Sequence, residues 1–330
     1  MKKLISIVIP CYNEQDNVVA IATAVEDELT RCLDADRYDF EIIFIDNDSR
    51  DNTRSLLREL CSRRPRVRAI LNAKNFGQFN SPYYAMCQAR GDAVILMCCD
   101  FQDPVELLPE IIRKWEDGAK IVSCIKTRSR ENPLMRALRT IYYKAIRRMS
   151  SVDQIEHFTG FGLYDRDFVD VLRRLDDPTP FLRGIVAELG FKRVDLPYTQ
   201  AKRRAGHTSN NFFSLFDAAM LSFTSYTKVG LHVLTLLGLL MAAGSMLIAL
   251  VMLVLKLVFW DRYEAGVAPL LVGLFFLHAM ELLFIGFVGE YVMAINTRVM
   301  NRPLVIEAER LNWPDPNTPP KTSPAEGNNP

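Results

Sequence analysis

Two stretches of this chain leave little freedom about where it can live. From Val229 to Leu255 there is no Asp, Glu, Lys or Arg, and from Ala265 to Gly289 only Glu281 is charged. Each exceeds the roughly 20 apolar residues that a helix needs to cross a bilayer. A fully soluble protein is therefore not expected. Two crossings return the chain to the side it left. Lys228 precedes the first stretch, and Arg298, Arg302 and Arg310 follow the second; basic residues stay on the cytoplasmic side. The reading is a multi-pass protein of the inner (cytoplasmic) membrane. Two transmembrane helices, at about 229–255 and 265–291, form a hairpin, and both termini and the large N-terminal region are cytoplasmic.

Inside the second stretch, His278 and Glu281 lie three residues apart on one helical face. An ionisable group at that depth is costly and usually faces protein or water. Two readings stay open. The pair makes a contact within the hairpin, between subunits or with a lipid headgroup; or Glu281 is protonated or sits nearer the interface.

The first 125 residues alternate strand and helix signals. Buried-strand runs lie at Ile5–Ile9, Phe40–Ile45, Val67–Leu71 and Ala93–Cys98. Helical patterns run through Val18, Ile21, Val25 and Leu29, then Leu56, Leu57 and Leu60, then Tyr84 and Cys87. That alternation predicts a mostly parallel, doubly wound α/β sheet. Ligands of such sheets gather at the carboxyl ends of the strands, so the polar residues just after each strand are the ones to read. No G-x-G-x-x-G follows the first strand and no G-x-x-x-x-G-K-[ST] occurs, which removes the sequence support for a dinucleotide redox enzyme or a P-loop NTPase.

From Lys126 to Arg148 there are eight basic residues against one acid, with apolar residues at helical spacing from Leu134 to Met149. This reads as an amphipathic helix, about 134–149, lying on the membrane surface or packing on the sheet. Phe212, Phe213, Phe216, Met220 and Phe223 form a second stripe at 211–228, an interfacial helix or domain core. Asn312–Pro330 holds six prolines, so the cytoplasmic tail 298–330 is expected to be disordered from about 312.

Charge and thiols narrow the functional class. Lys and Arg number 40 against 39 Asp and Glu, whereas counterion-driven nucleic-acid binding needs a basic excess; no nucleic-acid partner is expected. Seven cysteines, all between Cys11 and Cys124, show no C-x-x-C spacing and read as reduced cytoplasmic thiols. The apolar run after Met1-Lys2-Lys3 ends at Pro10, too short for a signal peptide.

Acids stand after three of the strands: Glu14, Asp46 with Asp48, and Asp100 with Asp103. Convergent carboxylates at one sheet edge suit a hard divalent cation shared with a substrate diphosphate. The same residue types also serve as turn and cap residues. The surrounding motifs are I-V-I-P-C-Y-N-E at Ile7–Glu14, I-D-N-D-S-R-D-N-T at Ile45–Thr53, N-F-G-Q at Asn75–Gln78 and D-F-Q-D-P-V-E at Asp100–Glu106. F-L-R-G at Phe181–Gly184, K-R-R-A-G-H-T at Lys202–Thr208 and G-E-Y…N-R-P from Gly289 to Pro303 continue the series. In this order the set resembles family 2 glycosyltransferases. Within them it resembles the polyprenyl-phosphate glycosyltransferases, relatives of dolichyl-phosphate mannose synthase that carry a membrane hairpin.

The resemblance implies a GT-A nucleotide-sugar-binding domain over residues 1–210, followed by the interfacial helix and the hairpin within 229–297. It implies a membrane-anchored, inverting transferase that moves a sugar from a UDP- or GDP-sugar, UDP favoured, to polyprenyl phosphate for cell-envelope glycan or glycoconjugate modification. Pro10, Tyr12, Glu14, Asp46, Asn75, Gly77 and Asp100 would hold the nucleotide sugar. Lys126, Arg128, Arg203 and Arg204 would face acceptor and donor phosphates, with Asp100, Arg128 and Arg203 catalytic. Asp100 and Gln102 would bind Mg²⁺ or Mn²⁺. Self-association through the hairpin is compatible with the resemblance.

The chain departs from the family pattern in four places. Cys98-Cys99-Asp100 stands for Asp-x-Asp, so the first carboxylate is missing. Asp46-Asn47-Asp48-Ser49 stands for D-D-G-S, and Ser209 for a frequent Lys. Thr159-Gly160-Phe161-Gly162 stands for G-D-F-R, removing another carboxylate. A sugar hydroxyl needs a base, worth about 10²–10⁴-fold; a lipid monophosphate is already anionic and does not. The departures leave metal dependence and the donor sugar open, and an alternative stands beside the enzyme: a catalytically weak subunit recruiting a glycan-assembly complex to the membrane. The absence of Q-x-x-R-W and the presence of only two crossings argue against a processive polysaccharide synthase.

Overall fold

The computed structural model describes residues 2–128, 155, 157–175, 177–201, 229–258, 267–300 and 302–313. The expected surface helix at about 134–149, the stripe at 211–228, and Arg203, Arg204 and Ser209 lie outside these residues.

The first half is a run of strand–helix units. β1 (Lys3–Cys11) leads to α1 (Val18–Cys32), β2 (Tyr38–Asp46) to α2 (Thr53–Arg63), and β3 (Val67–Asn72) to α3 (Gly77–Gln88). β4 (Ala93–Leu96) leads to α4 (Leu108–Glu116) and then β5 (Ile121–Arg128). β6 (Phe158–Asp165), α5 (Arg166–Leu175), α6 (Leu182–Glu188) and β7 (Arg193–Thr199) complete the stretch before two long helices.

The strands read as unbroken apolar runs because both sheet faces are covered. Ile5, Ile7, Ile9, Ile42 and Phe44 pack with Val18, Ile21 and Val25 of α1, Leu57 of α2 and Ile111 of α4. The alternate residues Val8, Ile43, Ile45 and Ile70 pack on the other side with Tyr83 and Met86 of α3, Phe168 of α5 and Ile185 of α6. The core is therefore two layers of side chains, one on each side of a central sheet.

The sheet has eight strands in the order β7-β5-β6-β4-β1-β2-β3-β8. The block β4-β1-β2-β3 is parallel throughout, as the alternating pattern predicts. The sheet as a whole is mixed but still mostly parallel in strand direction, with β6 and β8 the two strands that run against the rest. β6 runs antiparallel to both β4 and β5, β7 is parallel to β5, and β8 (Glu307–Leu311) runs antiparallel to β3. β4 also stops earlier than expected: the Met97 N–H still reaches Val8 O at 3.1 Å, but the Cys98 N–H turns to the Asp103 carboxylate at 2.8 Å.

The two apolar stretches form α7 (Val229–Val258) and α8 (Val267–Met300). They approach one another where a Cβ on Gly238 would lie 3.9 Å from the Phe284 ring. Among the described residues, Phe276–Met300 is the one segment long and apolar enough to cross a membrane by length and composition; Thr235–Ile248 is a shorter apolar helix. α8 continues to Met300, and before residue 312 the chain returns to the sheet as β8. β7 and β8 are the two outermost strands. β7 ends, and β8 begins opposite Asn72, at the sheet edge where β1 to β5 all terminate.

Candidate active site

That edge collects most of the residues singled out above. Register sets Cys11 beside Asp46 and Asp46 beside Leu71, so the loops after β1, β2 and β3 leave side by side. Pro10 lies in β1 opposite Ile45, with Tyr12 and Glu14 just beyond the strand. Asn75 and Gly77 open α3, Asp100 and Gln102 follow β4, and Lys126 lies near the end of β5. Arg128 closes β5 opposite Thr199.

Three of these loops hold a non-glycine residue in the left-handed region: Asn13 (φ 56°), Asp48 (φ 67°) and Phe101 (φ 60°). That conformation is uncommon outside glycine and collects at functional sites. Side chains hold the first two loops together. Asn13 N–H donates to Ser49 Oγ at 2.8 Å and Arg50 N–H to Asn13 Oδ1 at 2.8 Å. Glu14 N–H donates to Thr53 Oγ1 at 2.9 Å, and Thr53 Oγ1 in turn to Asp51 Oδ1 at 2.6 Å. Ser49, Asp51 and Thr53 thus fix the backbone that carries Glu14. Sequence reading passed over them although they sit in the S-R-D-N-T motif, and short polar side chains that cap neighbouring backbone are the signal that marks them.

Asp46 is fully buried. Its Oδ2 accepts from Arg54 Nε at 2.6 Å and from Ser49 N–H at 3.2 Å, while Oδ1 has no partner among the described residues. A buried acceptor left unmade costs about 1–3 kcal/mol, so this oxygen fits a donor brought by a ligand. Arg54, also missed from sequence, reaches Asp48 Oδ1 at 3.3 Å and Asn72 O at 2.5 Å.

Asn47, read above only as a departure from D-D-G-S, is a framework residue. Its Nδ2 donates to Asn75 Oδ1 at 2.9 Å and Gly77 O at 3.2 Å. Its Oδ1 accepts from Phe76 N–H and Ser81 Oγ, each at 2.8 Å, and from Asn72 Nδ2 at 3.2 Å. An aspartate could not donate those two bonds. Asn75 Oδ1 also receives the Gly77 N–H at 2.9 Å, so the start of α3 is built around this pair.

Asp100 is buried, and its Oδ1 accepts the Gln102 N–H at 3.1 Å. Asp103 serves the loop itself: it accepts from Cys98 N–H at 2.8 Å and Tyr198 OH at 3.1 Å, and burial pushes its carboxyl up from the ordinary range. Burial first, then Cys99 and carboxylates for Cys11 and carboxylates for Cys98 and Cys99, hold all three well above the usual thiol value. Cys98 is exposed as a residue, yet packing around its sulfur together with Asp103 and Asp100 still favours the protonated form. Sulfur is a poor ligand for Mg²⁺. Among the described residues no group of three or more His, Cys, Asp or Glu gathers to hold a metal. The donor set fits an open site in which one carboxylate is joined by substrate phosphate oxygens.

Gly160 lies in β6 with φ +103°, its Cβ position 3.7 Å from the Leu96 side chain at the end of β4. Gly162 has φ +157°, and a Cβ there would collide with the Val122 carbonyl. The backbone here disfavours an L side chain, so the missing carboxylate and its neighbour are replaced by a conformation rather than by another group.

Comparison with known proteins follows the same pattern. The glycosyl transferase family 2 model matches residues 6–173. The SfII prophage-derived bactoprenol glucosyl transferase of Shigella flexneri is 32% identical over 303 residues, 92% of this chain and 96% of that protein. The uncharacterized glycosyltransferase YkcC of Bacillus subtilis (strain 168) is 30% identical over 302 residues, 91% and 92% of the two chains. Among solved structures, the mannosyltransferase PcManGT from Pyrobaculum calidifontis in complex with GDP-Man and Mn²⁺ covers 91% of this chain and 87% of its own, at 16% identity and a TM-score of 0.44. That likeness is too loose to carry ligands across. The family match runs from β1 into α5 and takes in the loops that carry Glu14, Asp46, Asn75 and Asp100, and the chain belongs to glycosyl transferase family 2, with the GT-A type of α/β fold and glycosyltransferase activity.

Proposed function

We propose that this chain transfers a sugar from a nucleotide sugar to the phosphate of a polyprenyl lipid at the cytoplasmic face of the membrane. The observation that carries the acceptor is Gly160, whose left-handed backbone replaces the carboxylate of the family pattern. Without that base, a hydroxyl acceptor loses about 10²–10⁴-fold of proton-transfer help. A phosphate monoester carries about 1.5–2 negative charges at pH 7 and attacks unaided. The bactoprenol glucosyl transferase relatives support the same acceptor class by their names.

The donor reading rests on Asp46. Its buried Oδ1, without a partner among the described residues, suits a nucleobase N–H, which uracil and guanine both offer; the preference for UDP rests on the resemblance. Pro10, Tyr12 and Glu14 border the base and ribose, and Asn75 and Gly77 the sugar-diphosphate side. A lipid phosphate oxygen attacks the anomeric carbon in line as the bond to the diphosphate oxygen breaks, inverting the centre. The nucleoside diphosphate leaves with the bonding pair. Lys126, Arg128, Arg203 and Arg204 stabilise the phosphates by charge-assisted hydrogen bonds, the catalytic share falling to Asp100, Arg128 and Arg203. A divalent cation, Mg²⁺ or Mn²⁺, held by Asp100 and Gln102 with the diphosphate would neutralise leaving-group charge.

α7 and α8 are read as the membrane hairpin that keeps this edge near the lipid phosphate. At 30 and 34 residues and about 1.5 Å per residue, each outspans a hydrocarbon core of about 30 Å.

The test is nucleoside-diphosphate release by the full-length protein in detergent, over a panel of UDP- and GDP-sugars, with and without undecaprenyl phosphate, in Mg²⁺, Mn²⁺ or EDTA. Lipid-dependent release with one donor is expected. Release that depends on a saccharide acceptor and ignores the lipid overturns the acceptor. No release and no donor binding under any condition turns the reading to the recruiting subunit, whose support is the missing carboxylates at Cys98 and Gly160.

A further inference from the structure

We infer that β8, the strand that follows the last apolar helix, is a positioning element of the donor site: seated on β3, it holds α2 and the loop after β3 where Asp46, Asn75 and Gly77 need them. The inference rests on the donor reading above.

Three sets of contacts lead from β8 to that site, and none needs β8 to touch the donor. The first is backbone. Asn72 pairs with Glu307, and Ala73 N–H donates to Ile306 O at 2.8 Å, two residues before Asn75. Asn72 is shared with the site: its carbonyl accepts Arg54 Nη2 at 2.5 Å, and its Nδ2 donates to Ser81 Oγ at 2.6 Å and Asn47 Oδ1 at 3.2 Å.

The second runs along α2. Arg58 engages Glu309 with two nitrogens, Nε at 3.1 Å and Nη2 at 2.7 Å from Oε2. One turn earlier on the same helical face, Arg54 grips Asp46. α2 is thus pinned by β8 at one turn and positions the Asp46 carboxylate at the next. The third set fixes α3, where Tyr84 OH donates to Glu307 Oε1 at 2.7 Å and Arg310 Nη2 to Gln88 Oε1 at 2.7 Å.

The segment is anchored independently of these polar contacts. Val305 is buried, and Trp313 packs on the apolar layer beneath α3 with the Arg310 and Arg68 guanidinium groups over its ring at 4.8 and 5.6 Å. Asn312 Nδ2 closes the end by donating to Val67 O at 2.7 Å. Glu307 and Glu309 are therefore positioning residues for donor binding.

The experiment is calorimetric titration of full-length protein in detergent with UDP and with GDP, alongside donor KM and kcat where turnover is found. Val305→Asp unseats the strand; Glu309→Lys and Arg58→Glu each break the ion pair; the double variant Arg58→Glu/Glu309→Lys restores it reversed. Expected are a nucleotide Kd weakened about tenfold in Val305→Asp and up to about fivefold in Glu309→Lys, the most one exposed pair supplies. The double variant should recover to within about twofold, with kcat at saturating donor retained throughout. Unchanged Kd in folded Glu309→Lys, or a double variant no better than the single, overturns the inference while leaving the donor reading intact. A wild-type protein that binds neither nucleotide overturns both. If Val305→Asp does not fold, the charge-swap pair decides.

Discussion

Asn47 Nδ2 donates to Asn75 Oδ1 across 2.9 Å, tying the loop after β2 to the start of α3. The bond has a direction, so replacing the amide by a carboxylate inverts its electrostatics. Asn47→Asp should cost about 1–3 kcal/mol, since Asn75 Oδ1 and Gly77 O would face an acceptor. Urea unfolding of the purified protein measures it, and a loss below about 0.5 kcal/mol would show that the loop re-forms without this pair.

Arg54 Nε is the closest cation to the buried Asp46, at 2.6 Å. Arg54→Met leaves that carboxylate uncompensated, which for buried pairs costs about 3–5 kcal/mol; the partial exposure of Arg54 argues for the lower end. Asp46→Asn removes the charge with the shape kept. It should stay folded and lose at least about tenfold in nucleotide affinity, read by calorimetry beside a melting curve.

Gly160→Asp restores the carboxylate of the family pattern at a backbone that disfavours it. A side chain at φ +103° is expected to cost about 1–3 kcal/mol. Thermal melting reads the cost, and an acceptor panel should reveal no gain on saccharides. A gain there would mean that the base is tolerated and useful.

Cys98→Asp adds a third carboxylate beside Asp100 and Asp103. Like charges without a cation are destabilising, so the variant should melt lower than wild type in EDTA. Mn²⁺ should return the difference through binding to the native state. Equal melting with and without Mn²⁺ would remove Asp100 from the cation site.

Stability against acid should track Asp165. Burial raises its carboxyl, but hydrogen bonds from Trp115 Nε1 (2.7 Å), Lys120 Nζ (2.9 Å) and the Asp167 N–H outweigh that and hold it below its ordinary 3.8. A depressed carboxyl stabilises the fold above its unfolded value, and that contribution disappears as pH falls through the folded value. Trp115→Phe should therefore cost about 1.5–3 kcal/mol at pH 7 for the hydrogen bond to a charge. The penalty should shrink below pH 3.8, leaving only the packing difference. Chemical denaturation at several pH values separates the two parts.

The parallel half of the sheet was legible in the sequence because Ile5–Ile9 and Phe40–Ile45 are buried on both faces and leave no other element type. Strand direction alone puts Glu14, Asp46 and Asp100 at one sheet edge, where the register sets the loops after β1, β2 and β3 side by side. β6 was not legible: its Gly160 and Gly162 hide a strand whose direction depends on a crossover that apolar periodicity does not encode. β8 was hidden for a different reason. Glu307–Leu311 buries its residues only partly and alternately, and its holding partners Arg58, Tyr84 and Asn72 lie more than 200 residues away. The capping trio Ser49, Asp51 and Thr53 was visible as a motif, but its purpose needed the neighbouring loop.

The pairing of β3 with β8 also sets a timetable. Asn312 bonds to Val67 across 245 residues of chain, which at about 5–20 residues per second takes roughly 10–50 s to synthesise. Throughout that interval β3 is an unpaired edge, and the loop that will carry Asn75 lacks its backing. On the proposed reading both helices of the hairpin emerge from the ribosome before the backing arrives. The newborn enzyme would thus reach its bilayer before its donor pocket is finished.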